Sequence, residues 1–511
     1  MDVITGLGVA ALASLWLLKD IVQTRARNRK WRKAAAAVGL AGVGKGGVLR
    51  IPTRLAGHAG GLLVEFAHYQ HDGIGAVSGT QITVAGLGHG ASGLSLRREN
   101  VGTAVERAVG GREIAIGDWA FDDELHVQGN APLARALLDA ETRWAVRSLF
   151  QGRLPREGRA DGEVRFRLAQ DALQAEVADP GYWSTAEGLA EVLGAMLDLA
   201  RRLVAPTDIP GRIAENLRSE PEASVRLPCL LTLIREFPKS PATRAALLAA
   251  REDPDAEVRL EVGKALGTEG REVVLGVAAG EGVKDATSAR AVSWLASPPG
   301  KELSVEETQP ILSQALRARR TATAAACLGV LGARGGAEAI HTLAKVLAVE
   351  KGELAGGAAE ALGRTSDPKA EEPLLQALAE ESHPARIAAA RALGRVGTAA
   401  AVAPLLAAES DGGELRRAAR QAIAEIQSRL AETAGAAPGQ LSIAGAEAGQ
   451  VSLVEEDTAG QLALAEPANV RRNVPEECTP LRPQRTGVEE AIAEQGPSVS
   501  GPQARRPRTS A

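Results

Sequence analysis

Apolar positions in the carboxyl-terminal half of the chain follow a helical period. Within Ala385–Val396, Ala389, Ala392, Leu393 and Val396 fall at i, i+3, i+4 and i+7, the spacing of one apolar helix face. Leucine recurs at the equivalent place in successive units: Leu233, Leu266, Leu295, Leu331, Leu362 and Leu393. A helix pair cannot cover its own apolar face, whereas stacked pairs can. The pattern therefore predicts an α-solenoid of short helix pairs over residues 207–430.

The units also repeat at a fixed distance. Ala361-Leu-Gly-Arg364 and Ala392-Leu-Gly-Arg395 are 31 residues apart, a period typical of repeat architectures. These motifs, together with the Asp253-Pro254 and Asp367-Pro368 turns, resemble the HEAT-repeat superfamily. The short unit looks most like the type named after phycobilin lyases. This resemblance implies the fold and leaves the activity open, because fold alone does not determine function.

The amino-terminal segment begins with the uncharged run Val3–Leu18, and basic residues from Arg25 to Lys33 follow it. The run approaches the roughly 20 residues of a spanning helix, and Lys19 can snorkel to extend it. We therefore predict a membrane anchor and a basic juxtamembrane segment over residues 1–33, with Trp16 and Trp31 marking the interface. The alternative is a buried or amphipathic amino-terminal helix.

The basic residues behind the run also predict the orientation of the chain. By the positive-inside rule they stay in the cytoplasm. The abundance of Ala, Gly and Arg suggests a GC-rich bacterial genome. The predicted location is the bacterial inner membrane, crossed once, with the bulk of the chain in the cytoplasm.

Residues 34–206 show the alternation of strands and two helical periods, which together predict an α+β domain. The predicted helices are Ala131–Phe150, with Trp144 among its core candidates, and Thr185–Val204. The predicted strands are Val48–Leu55, Gly61–Tyr69, Gln81–Gly86, Gly93–Arg98, Arg112–Ile116, Glu124–Val127, Glu163–Leu168 and Ala172–Val177. The fold class is therefore mainly α: a transmembrane helix, a smaller α+β domain and a carboxyl-terminal solenoid.

One run in this domain, Ile116-Gly-Asp118-Trp-Ala-Phe121-Asp122, is similar to a pattern in an uncharacterised family of bacterial membrane-associated domains. The physical interpretation is simpler. Phe121 is a core residue, and Gly117-Asp118 is a turn.

The last segment, 431–511, contains no aromatic residue and is rich in Ala, Gly, Pro, Glu and Arg. Such a composition buries too little apolar surface to offset chain entropy, so we predict a disordered tail. Three short echoes occur in it: Gly439-Gln-Leu-Ser-Ile443, Gly449-Gln-Val-Ser-Leu453 and Gly460-Gln-Leu-Ala-Leu464. They resemble the start of the bacterial sliding-clamp-binding peptide but lack its aromatic end.

Charge and cysteine content narrow the possible partners. Lys and Arg number 59 against 63 Asp and Glu, a net charge of −4, so a nucleic-acid partner is disfavoured. Cys229, Cys327 and Cys478 lie far apart, which argues against a disulfide framework or a zinc site.

Candidate catalytic motifs fail in their structural context. Gly39–Gly46 matches the start of a P-loop, but Gly46 stands where Ser or Thr must hold magnesium. Gly88–Gly93 fits a dinucleotide-binding spacing, but a strand follows it rather than a helix. His68, His71 and Asp72 offer no fourth metal ligand. The sequence therefore predicts no catalytic residue, no cofactor and no metal.

Arginines recur on the solenoid, and we predict a partner-binding strip of Arg391, Arg395, Arg416, Arg417 and Arg420. The alternative is a solvated helix face, because Glu residues are interleaved. The predicted function is a non-catalytic, membrane-anchored HEAT-repeat scaffold whose protein partner is unknown. The alternatives are a nucleic-acid-binding solenoid that uses the arginine strip, or a tetrapyrrole lyase-like activity implied by the resemblance.

Overall fold

A computed structural model describes residues 2–43, 54–71, 77–90, 93–98, 113–154, 163–298, 303–379, 383–434, 441–443 and 451–453. Within these ranges the side chains of residues 2–17, 383–384, 432–434, 441–443 and 451–453 are left out of the description.

The first helix, α1, is continuous from Asp2 to Ala37. One stripe of its second half is buried against the α+β domain: Thr24, Asn28, Trp31, Ala34 and Ala35. Trp31 is fully buried, stacks on Phe66 with 6.1 Å between ring centroids, and donates from Nε1 to Thr80 Oγ1 at 3.0 Å. The prediction that Trp31 marks a membrane interface is therefore wrong, because its indole belongs to the core.

No helix among the residues whose side chains are described is both long and apolar enough to cross a membrane. The predicted spanning run, Val3–Leu18, lies outside those residues except for Leu18. The transmembrane helix stays a prediction.

The α+β domain contains a seven-stranded antiparallel sheet within its described residues. The strands are β1 (Arg54–Ala59), β2 (Leu62–His71), β3 (Val77–Ala85), β4 (Ser95–Arg98), β5 (Leu125–Gln128), β6 (Val164–Ala169) and β7 (Ala172–Ala178). Their order is β1-β2-β3-β7-β6-β4-β5. The predicted β6–β7 hairpin is confirmed, and it inserts between β3 and β4.

The helices of this domain are α2 (Trp119–Glu124), α3 (Ala131–Leu137), α4 (Ala140–Phe150) and α5 (Ala186–Arg202). The prediction of one helix over Ala131–Phe150 is wrong, because the Asp139 side chain accepts from Thr142 N and starts a new helix. The predicted strand Arg112–Ile116 is also absent from its described part beyond an isolated bridge at Glu113.

Local hydrogen bonds explain why that segment is not a strand. Asp122 accepts from the backbone N–H groups of Ile116 and Gly117. Arg135 donates to the carbonyl oxygens of Ala115 and Ile116. Side chains thus satisfy the backbone groups that a sheet ladder would otherwise use.

The solenoid follows after a short connection at residues 203–208. Its helices are α6 (Ile209–Ser219), α7 (Ala223–Glu236), α8 (Pro241–Ala249), α9 (Ala256–Leu266), α10 (Arg271–Ala279), α11 (Asp285–Leu295), α12 (Val305–Arg317), α13 (Thr321–Arg334), α14 (Ala337–Val349), α15 (Glu353–Arg364), α16 (Glu371–Ala379), α17 (His383–Val396), α18 (Val402–Ala408) and α19 (Gly413–Ala434). One buried apolar cluster runs from Trp31 through the sheet to Val262 in α9. The α+β domain and the first repeats therefore share a core.

The repeated leucines occupy the predicted positions. Leu233, Leu295, Leu331, Leu362 and Leu393 are fully buried, and Leu266 is partly buried. The glycine that follows Leu362 or Leu393 does not end its helix, since α15 and α17 continue to Arg364 and Val396.

The glycines instead permit close helix packing. A Cβ on Gly332 would lie 2.7 Å from Ala361 O, and one on Gly363 would lie 2.7 Å from Ala392 Cβ. Successive second helices, α13, α15 and α17, therefore approach each other at these positions. The Ala-Leu-Gly motif therefore lies where the second helices of neighbouring repeats contact each other.

Past residue 430, α19 continues to Ala434, and two strands, β8 (Leu441–Ile443) and β9 (Val451–Leu453), pair antiparallel. The first two echoes thus pair with each other. The third echo and the rest of the predicted disordered tail lie outside the described residues.

Candidate interaction surface

The predicted arginine strip lies on α17 and α19, and all five side chains belong to exposed residues. On α19, Arg420 Nε lies 3.0 Å from Glu409 Oε2, and Arg416 Nε donates to Glu409 O at 2.9 Å. Arg417 lies 4.0 Å from the Glu414 carboxylate. Each of the three arginines on α19 therefore contacts an oxygen of Glu409 or Glu414.

On α17 the two arginines differ. Arg395 Nη2 donates to Glu360 O on the preceding repeat at a long 3.5 Å. Arg391 makes no hydrogen bond or ion pair with the described part of the chain. The strip is thus not a continuous free basic groove, which is the surface that the nucleic-acid alternative requires.

Other repeated arginines fasten the turn between the two helices of a unit. Arg226 Nη1 donates to Glu220 O and Pro221 O, and Arg259 Nη1 donates to Asp253 O and Pro254 O. These two arginines come from the Val-Arg pairs of the sequence repeat. Some of the arginines that recur in this chain therefore stabilise the fold by binding the backbone of a turn.

Arg226 also joins one repeat to the next. Its Nε and Nη2 donate to the two carboxylate oxygens of Asp253 at 2.9 and 2.8 Å, and both side chains are more than nine-tenths buried. A bidentate pair of this kind holds its partners in one orientation.

A second buried ion cluster joins the α+β domain to the solenoid. Arg143 on α4 is 3% exposed. It donates to Asp118 Oδ2 at 2.8 Å, and to Glu220 Oε2 and Oε1 at 2.8 and 3.1 Å. Burial lowers the pKa of Arg143, but the hydrogen bonds that it donates to Glu220 and Asp118 outweigh this effect, and the net shift of the pKa is upward. The guanidinium therefore stays charged and holds the α+β domain and the solenoid together through Asp118 and Glu220.

Sequence reasoning missed the role of Glu220 and Asn216 at this junction. The Asn216 side chain donates to the carbonyl oxygens of Arg135 and Ala136, which end α3. The signal present in the sequence was Asp118 in the motif quoted above. Its partners lie far along the chain, so no local pattern reveals them.

Two tryptophans of the α+β domain are exposed. Trp119 is 82% exposed and Trp144 is 71% exposed, so the prediction that Trp144 is a core residue is wrong. Each directly follows one member of the Asp118–Arg143 pair. A shallow groove of about 470 Å³ is lined by Ala140, Glu141, Trp144, Ala145 and Arg202.

The histidines considered as metal ligands are used elsewhere. His68 Nδ1 lies 2.8 Å from Gly79 O, and His71 Nε2 lies 3.6 Å from Glu176 Oε2. Asp72 is outside the described residues. No group of three potential ligands with metal-binding geometry occurs in the described ranges.

Two cysteines are buried in the solenoid. Burial raises the pKa of the Cys229 thiol to about 11 and that of Cys327 to about 12. Because the thiolate is the reactive form, we expect both to resist maleimide at pH 8 in the folded protein and to react in denaturant. Peptide mass spectrometry after a timed pulse measures each site. Rapid native labelling of either cysteine would contradict the buried packing.

Comparison with protein families gives a match over part of the solenoid. Residues 350–424 match the family described as HEAT repeats. None of the curated proteins compared with the chain matches it.

Solved structures give weak likenesses. A structure of human deoxyhypusine hydroxylase in complex with glycerol is 21% identical, with a TM-score of 0.25, over 47% of this chain and 91% of that one. A crystal structure of an engineered protein is 18% identical, with a TM-score of 0.21, over 43% and 98%. The match to the family model assigns HEAT repeats to residues 350–424 of this protein.

Proposed function

We propose that this protein is a non-catalytic HEAT-repeat scaffold, held at the bacterial inner membrane by its amino-terminal run, whose solenoid binds a protein partner in the cytoplasm. The observation that carries the proposal is the continuity of α1. The same helix that begins with the apolar run ends in the core of the α+β domain. An anchor there would hold the domain without a flexible linker.

In this proposal, the anchor and the solenoid lie at opposite ends of the sheet. Trp31 contacts Thr80 near the start of β3, whereas Ala41 pairs with His58 beside the far end of the sheet. Helix α1 packs against α5 and β1, and from Trp31 to Ala41 the chain passes from the start of β3 towards the opposite end of the sheet.

The solenoid departs from the other end. Ala205 N donates to Leu87 O just past the end of β3, and His89 Nε2 lies 2.6 Å from Leu203 O at the end of α5. In this proposal the α+β domain is a rigid spacer that displays the solenoid away from the bilayer.

The contacts described above support a structural rather than catalytic use of the buried charges. Arg143, Glu220, Arg226 and Asp253 pair with one another or with backbone groups across the domain and repeat junctions. Rigid stacked repeats offer an extended surface to protein partners. We also propose that the repeats are of the phycobilin-lyase type and that the α+β domain is related to the bacterial membrane-associated domains.

The anchor is tested by cell fractionation of the full chain. We expect it in the membrane pellet, resistant to high salt and released by detergent. Leu12→Arg with Leu15→Arg should shift it to the soluble fraction, because a central charge costs roughly 2.5–3.5 kcal/mol in a spanning helix.

The matched control places the same charges elsewhere. Val349 and Leu406 are 76% and 54% exposed on the solenoid, so Val349→Arg with Leu406→Arg should leave the protein in the membrane. A soluble wild-type chain, or equal behaviour of the two variants, would refute the anchor.

A further inference from the structure

We infer that the outward face of α1 is a binding surface for the headgroups of anionic phospholipids. This inference rests on the proposed membrane anchoring. It adds a lipid class and the residues that select it.

The surface is a basic row on one side of the helix. Arg25, Arg29 and Lys33 follow each other at i, i+4 and i+8, so they share a face. Lys30 and Arg32 flank that face, and all five residues are exposed. The buried stripe that contains Asn28 and Trp31 lies on the opposite side.

The requirements of folding do not explain this row. Like charges at i and i+4 destabilise a helix, and none of these five residues forms an ion pair with the described part of the chain. Arg27, which points inward, behaves differently. Its guanidinium lies 5.5 Å from the centroid of the Trp31 ring. The outward cations are therefore available to a ligand.

The position of the row favours a bilayer over other polyanions. Since a helix rises 1.5 Å per residue, Arg25 to Lys33 spans about 12 Å, comparable to the roughly 8 Å over which charge acts at physiological salt. The apolar run precedes the row in the same helix. Clustered Lys and Arg next to a membrane segment attract anionic lipids, whereas the net charge of −4 disfavours nucleic acid.

The test uses the full chain reconstituted in phosphatidylcholine bilayers. Electron spin resonance with spin-labelled phosphatidylglycerol or spin-labelled phosphatidylcholine measures how strongly the protein prefers the anionic lipid. We expect a preference of at least about fivefold, equivalent to roughly 1 kcal/mol, the contribution of one basic residue near the surface. Arg25→Gln with Arg29→Gln and Lys33→Gln should abolish the preference, as should molar salt.

The control removes the same charge from exposed positions on the solenoid, at Arg235, Lys239 and Lys345. This triple Gln variant should keep the wild-type preference. Preference retained by the α1 variant, or lost equally in both variants, would overturn the inference.

Two further outcomes separate the competing explanations. A wild-type chain that stays in the bilayer without lipid preference refutes the headgroup site alone, whereas a chain that does not stay in the bilayer refutes the proposed function. In two parallel samples, either short duplex DNA or soluble glycerol phosphate is then added, at the same concentration of phosphate. Loss of preference with DNA only would assign the row to nucleic acid and overturn the lipid inference.

Discussion

Replacement of Arg143 by methionine is expected to lower the free energy of unfolding by about 3–5 kcal/mol, the usual result of removing one partner of a buried ion pair. The Glu220 side chain, which is 2% exposed, would keep its charge without a partner. Asp118 would lose the same cation. Chemical denaturation followed by circular dichroism measures the change.

The matched control is the same substitution on α5. Arg202 pairs with Glu141 at 3.0 Å, but the two side chains are 47% and 81% exposed. Arg202→Met should therefore change stability by no more than about 1 kcal/mol, as exposed pairs do. Adding Glu220→Leu to Arg143→Met should recover part of the loss, because the buried unpaired carboxylate is gone. Equal effects of the two single variants would show that the junction is not buried.

Replacement of Leu393 by alanine is expected to lower stability by about 2–5 kcal/mol, because it removes a fully buried side chain and leaves a cavity. Leu393 is 0% exposed and packs in the core of the later repeats. The loss should concentrate in the neighbouring repeats, since solenoid stability is a sum of units and their interfaces. Hydrogen exchange resolved by peptide measures where protection falls.

Arg391→Ala is the control on the same helix. Arg391 lies two residues earlier, is exposed, and should cost no more than about 0.5 kcal/mol. If Arg391 belongs to a partner-binding strip, its loss should weaken capture of the partner from cell extract while the melting temperature stays unchanged. Equal destabilisation by the two changes would show that the helical register assigned here is wrong.

Much of the solenoid could be predicted from the sequence because its rules are local. A helix pair, its apolar stripe and its turn lie within one 31-residue period, and stacking follows from the need to cover that stripe. The arginine strip was less predictable. Whether an arginine such as Arg420 is free depends on a carboxylate, Glu409, that the three-dimensional packing brings to it.

Trp31 and Trp144 show that hydrophobic periodicity alone does not predict which side chains are buried. Trp144 occupies a helical apolar position yet is exposed, and Trp31 stands among basic residues yet is buried. A periodic pattern identifies an apolar face, but the neighbouring element decides whether that face is covered. For Trp31 that neighbour is β3, which supplies Thr80 from 49 positions along the chain.

The sequence by itself determined that this chain is a helical repeat protein with an α+β domain before the repeats, since amphipathic period and repeat length are properties of short segments. Only the tertiary structure decided the strand order, in which β7 pairs with β3 across a long stretch of chain. It alone decided that the two parts share one core and that Arg143 joins them. Long-range pairing depends on which surfaces fit each other in space, and spacing along the chain does not encode that fit.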